Sequence, residues 1–246
     1  MTPLVDDRIN CTLHVQVLKP QTLRNLLASG SDACKYENEE PLVVILTLTA
    51  NDEEAKKGSF KVASKGSCSP PIFDSNSTVC AKQAYKPIGM PGKGWTLKVP
   101  GFPKLHPFED QKIKLKTELR ALAWGSALLN YVYEFIKAKN PDNDIDIPKF
   151  RFVNAALATE GQEVPQAQRQ VYLLEEFIDN ASHIQGNFRK YINNGLARPL
   201  DGLDAIDRLR AQFLCFTQHV QYMMTGKLAF ISDYQGKLLV YNAEIY

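Results

Sequence analysis

From about Glu109 to Lys139, Leu115, Leu119, Leu122, Leu129, Val132 and Ile136 recur at steps of three, four or their sum, and Gly125 is the only Gly or Pro. That period places the six on one side of an α-helix, which at 1.5 Å per residue spans roughly 45 Å. A second stripe, Leu203, Ile206, Leu209, Phe213, Phe216, Val220 and Met223, predicts a helix that Asp201 or Asp204 caps and Gly226 stops. Other stretches follow the shorter period. Pro41 to Thr49 reads as a strand, because Val43, Val44, Ile45 and Leu46 are bounded by Pro and by Asn-Asp. Further strands are expected from Gly58 to Ser67, from Val79 to Tyr85, from Phe150 to Thr159 and from Gln170 to Ile178, with a strand and short helix over 11–27. Near the C-terminus, Leu228, Phe230 and the run Leu238–Val240 predict two strands joined by a tight turn at Gln235-Gly236-Lys237.

Between these elements, Lys86 to Pro107 holds five prolines and four glycines and reads as an extended connector, within which Trp95, Leu97 and Val99 alternate as a further strand. Pro141 to Pro148 is an acidic, turn-rich break. The chain shows no internal repeat and no long low-complexity segment.

Composition narrows the class. The 246 residues, 44% hydrophobic, suffice for one domain or one two-lobed unit with a full core. A formal net charge of +2 implies neither a nucleic-acid partner nor a membrane surface. The start, Met1 to Asp7, lacks a signal-peptide pattern, and the longest apolar-rich run, Pro41 to Ala50, is too short to span a bilayer. Five cysteines (Cys11, Cys34, Cys68, Cys80, Cys215), with no C-x-x-C pair, indicate reduced thiols in a cytosolic or nuclear setting, and a cytoplasmic location is expected.

Candidate chemistry clusters in three places. Asp233 and Gln235 follow an apolar run, and a carboxylate with an amide oxygen at a strand end suits a hard cation such as Mg²⁺; the alternative is a hairpin whose polar residues face water. Lys82 sits in the short apolar strand VCAKQAY, where a buried ammonium needs an anionic partner such as a phosphate or a carboxylate; the alternative is an edge strand with Lys82 in solvent. Gly58 and Gly66 bound the preceding strand, at places where backbone can approach a phosphate. Glu118, at the border of the long helix's stripe, is the carboxylate within reach of a strand lysine.

The order GxFKxA, VCAKQ, TELRALAW, YLLEEFI, GNFRKYINNG and DxQG, over roughly Gly58 to Ile245, resembles the alpha-kinase family, and above all its divergent fungal members. The family includes the myosin heavy chain kinases, the elongation-factor-2 kinase and the channel kinases. Its members lack the usual kinase signatures, and no H-R-D or D-F-G tripeptide occurs here. The resemblance implies transfer of the ATP γ-phosphate to a Ser or Thr of a protein substrate. It implies that Lys82 contacts the phosphates, with Lys61 and Gly58 on the glycine-bearing strand beside it; from its place on the helix, Glu118 is expected to pair with Lys82. The resemblance also implies that the backbone of Glu175, Glu176 and Phe177 bonds the adenine, so that the Glu175 side chain matters less. Asp233 matches the catalytic aspartate and Gln235 a metal ligand.

Two departures qualify the match. Asn242 stands where the family has a metal-binding aspartate, leaving Asp233, Gln235 and Asn242 as the Mg²⁺ set. His219 matches one of four zinc ligands, but the chain stops at Tyr246, where the family's substrate loop and remaining ligands follow, so no zinc site is expected. The expected architecture is α+β and bilobal, of the protein-kinase-like, alpha-kinase type. Residues 1–50 form an N-terminal extension that can contribute a strand, 51–178 a β-rich N-lobe with the long helix, and 179–246 a partial C-lobe, with ATP in the cleft between lobes. The expected function is an ATP-dependent Ser/Thr kinase; the alternative is a pseudokinase that binds nucleotide or a partner without catalysis.

Overall fold

The computed structural model describes residues 8–29, 34–49, 56–57, 60–73, 77–86, 104–142, 147–178 and 189–236. In chain order the elements are β1 (Arg8–Val17), α1 (Leu23–Ser29), β2 (Leu42–Thr49), β3 (Lys56–Lys57), β4 (Lys61–Ser69), β5 (Thr78–Ala84) and α2 (Phe108–Lys139). They continue with β6 (Ala155–Glu160), β7 (Val171–Glu176), β8 (Arg189–Lys190), β9 (Ile192–Asn193), β10 (Leu196–Pro199), α3 (Ala205–Met224) and β11 (Gln235–Gly236). The chain divides into two compact units. The first comprises Met1–Lys19, Ala33–Leu122 and Val153–Phe177; the second comprises Pro20–Asp32, Ala123–Phe152 and Ile178–Tyr246.

The first unit is a closed sheet. Its antiparallel strands run in the order β2-β1-β6-β7-β5-β4-β3, and β2 also pairs with β4, so six strands form a ring with β3 attached to β4. Closure removes unpaired strand edges. Strand alternation then divides the residues. Leu13, Val15 and Val17 of β1, Val44, Leu46 and Leu48 of β2, and Val79 and Ala81 of β5 join Ala156, Ala158, Tyr172 and Leu174 in one buried core. Gly66 is part of this closure. A Cβ there would lie 2.8 Å from Leu48 Cδ2 and 3.0 Å from the Thr47 carbonyl, so β2 approaches β4 only because the side chain is missing. Gly66 therefore packs inside a strand instead of lying at a strand end beside a phosphate. Residues 1–50 contribute two strands to the ring: β1 and β2 are members of it, and β1 lies between β2 and β6.

On the outer surface, Leu115 and Leu119 of α2 pack with Ala84, Ala155, Leu157, Val171 and Leu173. The first part of the stripe read from the sequence, Leu115, Leu119 and Leu122, is thus the face that α2 turns to the sheet.

In the second unit, α2 continues past Gly125, where a Cβ would meet the Phe152 ring at 2.8 Å. The Tyr133 and Phe150 rings each stack on Phe213 of α3, at centroid separations of 6.0 and 6.1 Å. Helix α3 begins at Asp204, whose side chain accepts the Asp207 N–H, while Asp201 pairs with Arg198 at 3.2 Å. It ends at Gly226, whose φ of +64° is the left-handed conformation that glycine permits.

The buried face of α3 is not the apolar stripe. Asp207, Ala211, Leu214, Thr217, Gln218, Val220 and Gln221 are buried, whereas Ile206, Leu209, Phe216 and Met223 are exposed. The C-terminal hairpin is also corrected. Leu228 to Ile231 is not a strand, because Thr225, just past α3, takes the backbone groups of Ala229, and Gln218 and Gln221 of α3 take those of Ile231, where a strand partner would. Gln235-Gly236 is no turn but β11, paired with β8 in the register Gln235↔Lys190. The expected strands at Trp95–Val99 and Leu238–Val240 lie outside the described residues.

Candidate functional site

Charge gathers at one place in each unit. In the first, ring alternation turns Val62 of β4 and Ala81 of β5 inward and so turns Lys61 and Lys65 of β4, Lys82 of β5 and Glu175 of β7 outward. The register aligns Lys82 with Ala63 and with Leu173, and Cys80 with Lys65 and with Glu175. Lys82 and Glu175 are therefore diagonal neighbours on one face, close enough for long side chains to meet. They do: Lys82 Nζ donates to Glu175 Oε2 at 2.5 Å, and both are largely buried.

This corrects the expected partner. Glu118 does not reach Lys82; it accepts from Lys61 at 2.7 Å. It also changes the role of Glu175, whose side chain holds the central lysine. The backbone there is largely used by the sheet. Glu175 is paired with Cys80 on one side and Ala155 on the other, and the Glu176 N–H donates to the Asn154 carbonyl at 2.9 Å. The Glu176 side chain accepts the Asn154 N–H at 3.3 Å. Phe177 follows the end of β7, and Lys65 Nζ lies 4.8 Å from its ring centroid. Partly exposed ion pairs contribute about 0–1 kcal/mol, so these fix direction more than stability. Lys61, Lys65 and Lys82 share the face with Glu118 and Glu175, leaving an excess of positive charge that suits an anion.

In the second unit the focus is Asp233. Its φ is +59°, a left-handed conformation that a non-glycine residue adopts at a cost and that often marks a functional position. Its carboxylate is ion-paired with the ammonium of Lys190 on β8. The pairing of β8 with β11 brings the two together, and the Tyr191 N–H donates to the Tyr234 carbonyl at 2.8 Å. The neighbouring Arg189 turns to the start of α3, 3.1 Å from Asp207 and 3.5 Å from Asp204. The buried Asp207 is held from its other side by Arg210 at 2.8 Å. Burial, together with the Asp207 charge, pushes the Tyr191 phenol up, against the pull of Arg210 and Arg189. The Asp204 carboxyl is held below its usual range chiefly by accepting the Asp207 N–H.

Several expected residues fall elsewhere. Gly58, Asn242 and the side chain of Gln235 lie outside the described residues. His219 is exposed on α3. Among the described residues no group of three or more His, Cys, Asp or Glu is set to hold a metal. A hard cation suits the oxygen donors of Asp233, which supplies the one described ligand of the expected Mg²⁺ set. Lys190 was missed, although it stands in the quoted GNFRKYINNG; nothing in that string indicates that β11 would bring it to Asp233. The Lys65–Phe177 contact was missed because it depends on the β4–β5–β7 register.

No protein-family model matches the chain, and no curated protein matches it in sequence. Solved structures do. An alpha kinase from Entamoeba histolytica is similar at a TM-score of 0.53 and 12% identity, over 95% of this chain and 75% of that one. The alpha-kinase domain of myosin heavy chain kinase A, in complex with ADP, is similar at a TM-score of 0.46 and 12% identity, over 96% of this chain and 80% of that one. The chain has an alpha-kinase-like α+β fold, with a sheet-rich N-terminal part and a long helix.

Proposed function

We propose that this alpha-kinase-like chain binds ATP and transfers its γ-phosphate to a Ser or Thr hydroxyl of a protein. The observation that carries the reading is the Lys190–Asp233 pair, a carboxylate fixed in left-handed backbone beside an ammonium. In the transfer, the hydroxyl oxygen attacks the γ-phosphorus, the bond from that phosphorus to the bridging oxygen breaks, and ADP leaves. Asp233 orients the hydroxyl and accepts its proton. Lys190 then exchanges the Asp233 carboxylate for the charge developing on the transferred group.

In the first unit, Lys82, directed by Glu175, and Lys61, directed by Glu118, attract the phosphates. Phe177 and Lys65 offer a flat apolar surface and a cation at the end of β7 for the base. Mg²⁺, when bound, would neutralise phosphate charge, and Asp233 would supply an oxygen to hold it.

A second reading, a pseudokinase, is favoured by the same ion pairs: Lys82, Lys61 and Asp233 each already have a partner of opposite charge. Its further support is Asn242, an amide that brings no negative charge to a metal. The cytoplasm is the proposed location, consistent with five cysteines that form no disulfide; among the described residues no helix is long and apolar enough to cross a membrane. The deciding experiment follows γ-labelled phosphate from Mg-ATP to the chain itself or to a generic Ser/Thr substrate. Slow transfer that Asp233→Ala reduces by about 10²–10⁴-fold supports the enzyme. ATP binding with no transfer, in wild type and in Asn242→Asp alike, leaves the pseudokinase.

A further inference from the structure

Asp233 holds a left-handed backbone conformation with no regular element on its N-terminal side, so something else must fix it. The residues that do so are buried and polar, and they lie on α3. Gln221 and Thr217 have no exposed surface, and Gln218 is 4% exposed. The Gln221 Oε1 accepts the Ile231 N–H at 2.9 Å, and Gln218 Nε2 donates to the Ile231 carbonyl at 2.7 Å. Both backbone groups of the residue two before Asp233 are thereby tied to the helix.

The residue after Asp233 is tied as well. The Tyr234 hydroxyl lies 3.2 Å from Gln221 Nε2 and 3.1 Å from Thr217 Oγ1. Thr217 donates to the Leu214 carbonyl at 2.7 Å. With its one proton committed there, Thr217 accepts from Tyr234, and Tyr234 accepts from Gln221. The bonds run in one direction, from Gln221 through Tyr234 and Thr217 to a helix carbonyl, with both hydroxyl protons used. Burial pushes the Tyr234 phenol up, which keeps the neutral donor that this chain requires.

We propose that Gln221 is a positioning residue for Asp233. A single amide holds Ile231 through its oxygen and Tyr234 through its nitrogen, so the two residues between them, Ser232 and Asp233, are clamped from both sides. The clamp holds Asp233 in its left-handed turn and delivers its carboxylate to Lys190. The functional half of this inference rests on the phosphoryl-transfer reading; the structural half does not.

The test compares full-length wild type with Gln221→Leu, which keeps the buried volume and removes both bonds. Phe213→Leu, which loosens the aromatic stack of α3 elsewhere, is the control. Amide hydrogen exchange at Ile231 and the intraresidue amide-to-α-proton contact of Asp233, strong at positive φ, are read by NMR. In Gln221→Leu, Ile231 exchange should rise at least about tenfold and the Asp233 signature should weaken. The kcat should drop about 10–100-fold, as misplacement of a reacting group predicts, with the ATP Kd within about twofold. Phe213→Leu should lower the melting temperature but keep the wild-type kcat and the wild-type Ile231 and Asp233 signals. An Asp233 signature unchanged in Gln221→Leu overturns the clamp. A kcat that falls equally in both variants at matched loss of melting temperature overturns the positioning role. Should Gln221→Leu not fold, Tyr234→Phe takes its place, with the same two signals and a smaller change expected. If wild type transfers no phosphate, the preceding reading fails while the NMR comparison still decides the clamp.

Discussion

The two charged places in this chain are held by different means. In the first unit, Lys61, Lys65, Lys82 and Glu175 all ride on strands whose backbone is paired along its length. Their directions follow from alternation once the ring is closed, and the ion pairs add aim, not rigidity. In the second unit, Lys190 sits on a two-residue strand and Asp233 on an irregular segment. There the position depends on individual side-chain bonds from a helix whose buried face is polar. Buried polar groups are costly unless satisfied, so each member of that network is needed by the others. The first place should keep its geometry on loss of any one charged side chain; the second should lose its geometry with one buried amide.

The largest effect on stability should come from attacking the ring core. Leu174 is fully buried within it, and Leu174→Ala should cost about 2–5 kcal/mol in chemical denaturation. The comparison predicts that amide protection falls first in the strands of the first unit. Uniform loss across both units would show that they are one cooperative body.

Gly66→Ala is a sharper version of the same test. The added Cβ meets Leu48 and the Thr47 carbonyl, so β2 and β4 must separate locally, at about 1–3 kcal/mol. Exchange should rise at the β2–β4 pairs and stay unchanged at Ile231. A neutral or stabilising Gly66→Ala would mean that the ring is open at that seam.

The smallest effect is pH-dependent and separates the units by window. In the first unit, desolvation, then Lys114 and Lys86, hold His106 below its ordinary value, so the folded state binds its proton less readily than the unfolded chain. The stability that follows is present above about pH 6.5 and is lost as pH falls through the lower folded value. In the second unit, Asp204 is also held low, so its contribution is present above about pH 4 and is lost as pH falls through its folded value. Melting curves should shift by no more than about 3 °C over the His106 window, and His106→Gln should remove that step. A melting temperature that rises between pH 7 and 5.5 would contradict the assignment.

The same contrast explains how much the sequence disclosed. The strands and α2 were legible because ring alternation and the Leu115–Leu119 stripe repeat a local rule many times. Closure was not legible, since it depends on β1 meeting β6 and β5 meeting β7, as at Leu13↔Glu160 and Lys82↔Leu173, across long separations in sequence. Lys82 was legible as a buried cation but its partner was not, because choosing Glu175 over Glu118 requires the β5–β7 register. For α3 the pattern misled: Ile206, Leu209, Phe216 and Met223 are exposed, while Thr217, Gln218 and Gln221 face inward. A helix that buries amides to hold an irregular segment leaves no apolar period to read. For that reason Asp233 was found by motif, and the residues that hold it were not.

The most direct test of a nucleotide-binding place in the first unit, separate in role from the transfer group in the second, is calorimetry of Mg-ATP. It would be run on wild type, Lys82→Ala and Asp233→Ala. Removing a charge-assisted contact of about 1.5–3 kcal/mol predicts roughly 10–100-fold weaker binding for Lys82→Ala, with Asp233→Ala within about threefold of wild type. Wild-type affinity in Lys82→Ala, or no measurable binding of Mg-ATP to the wild-type chain, would contradict it.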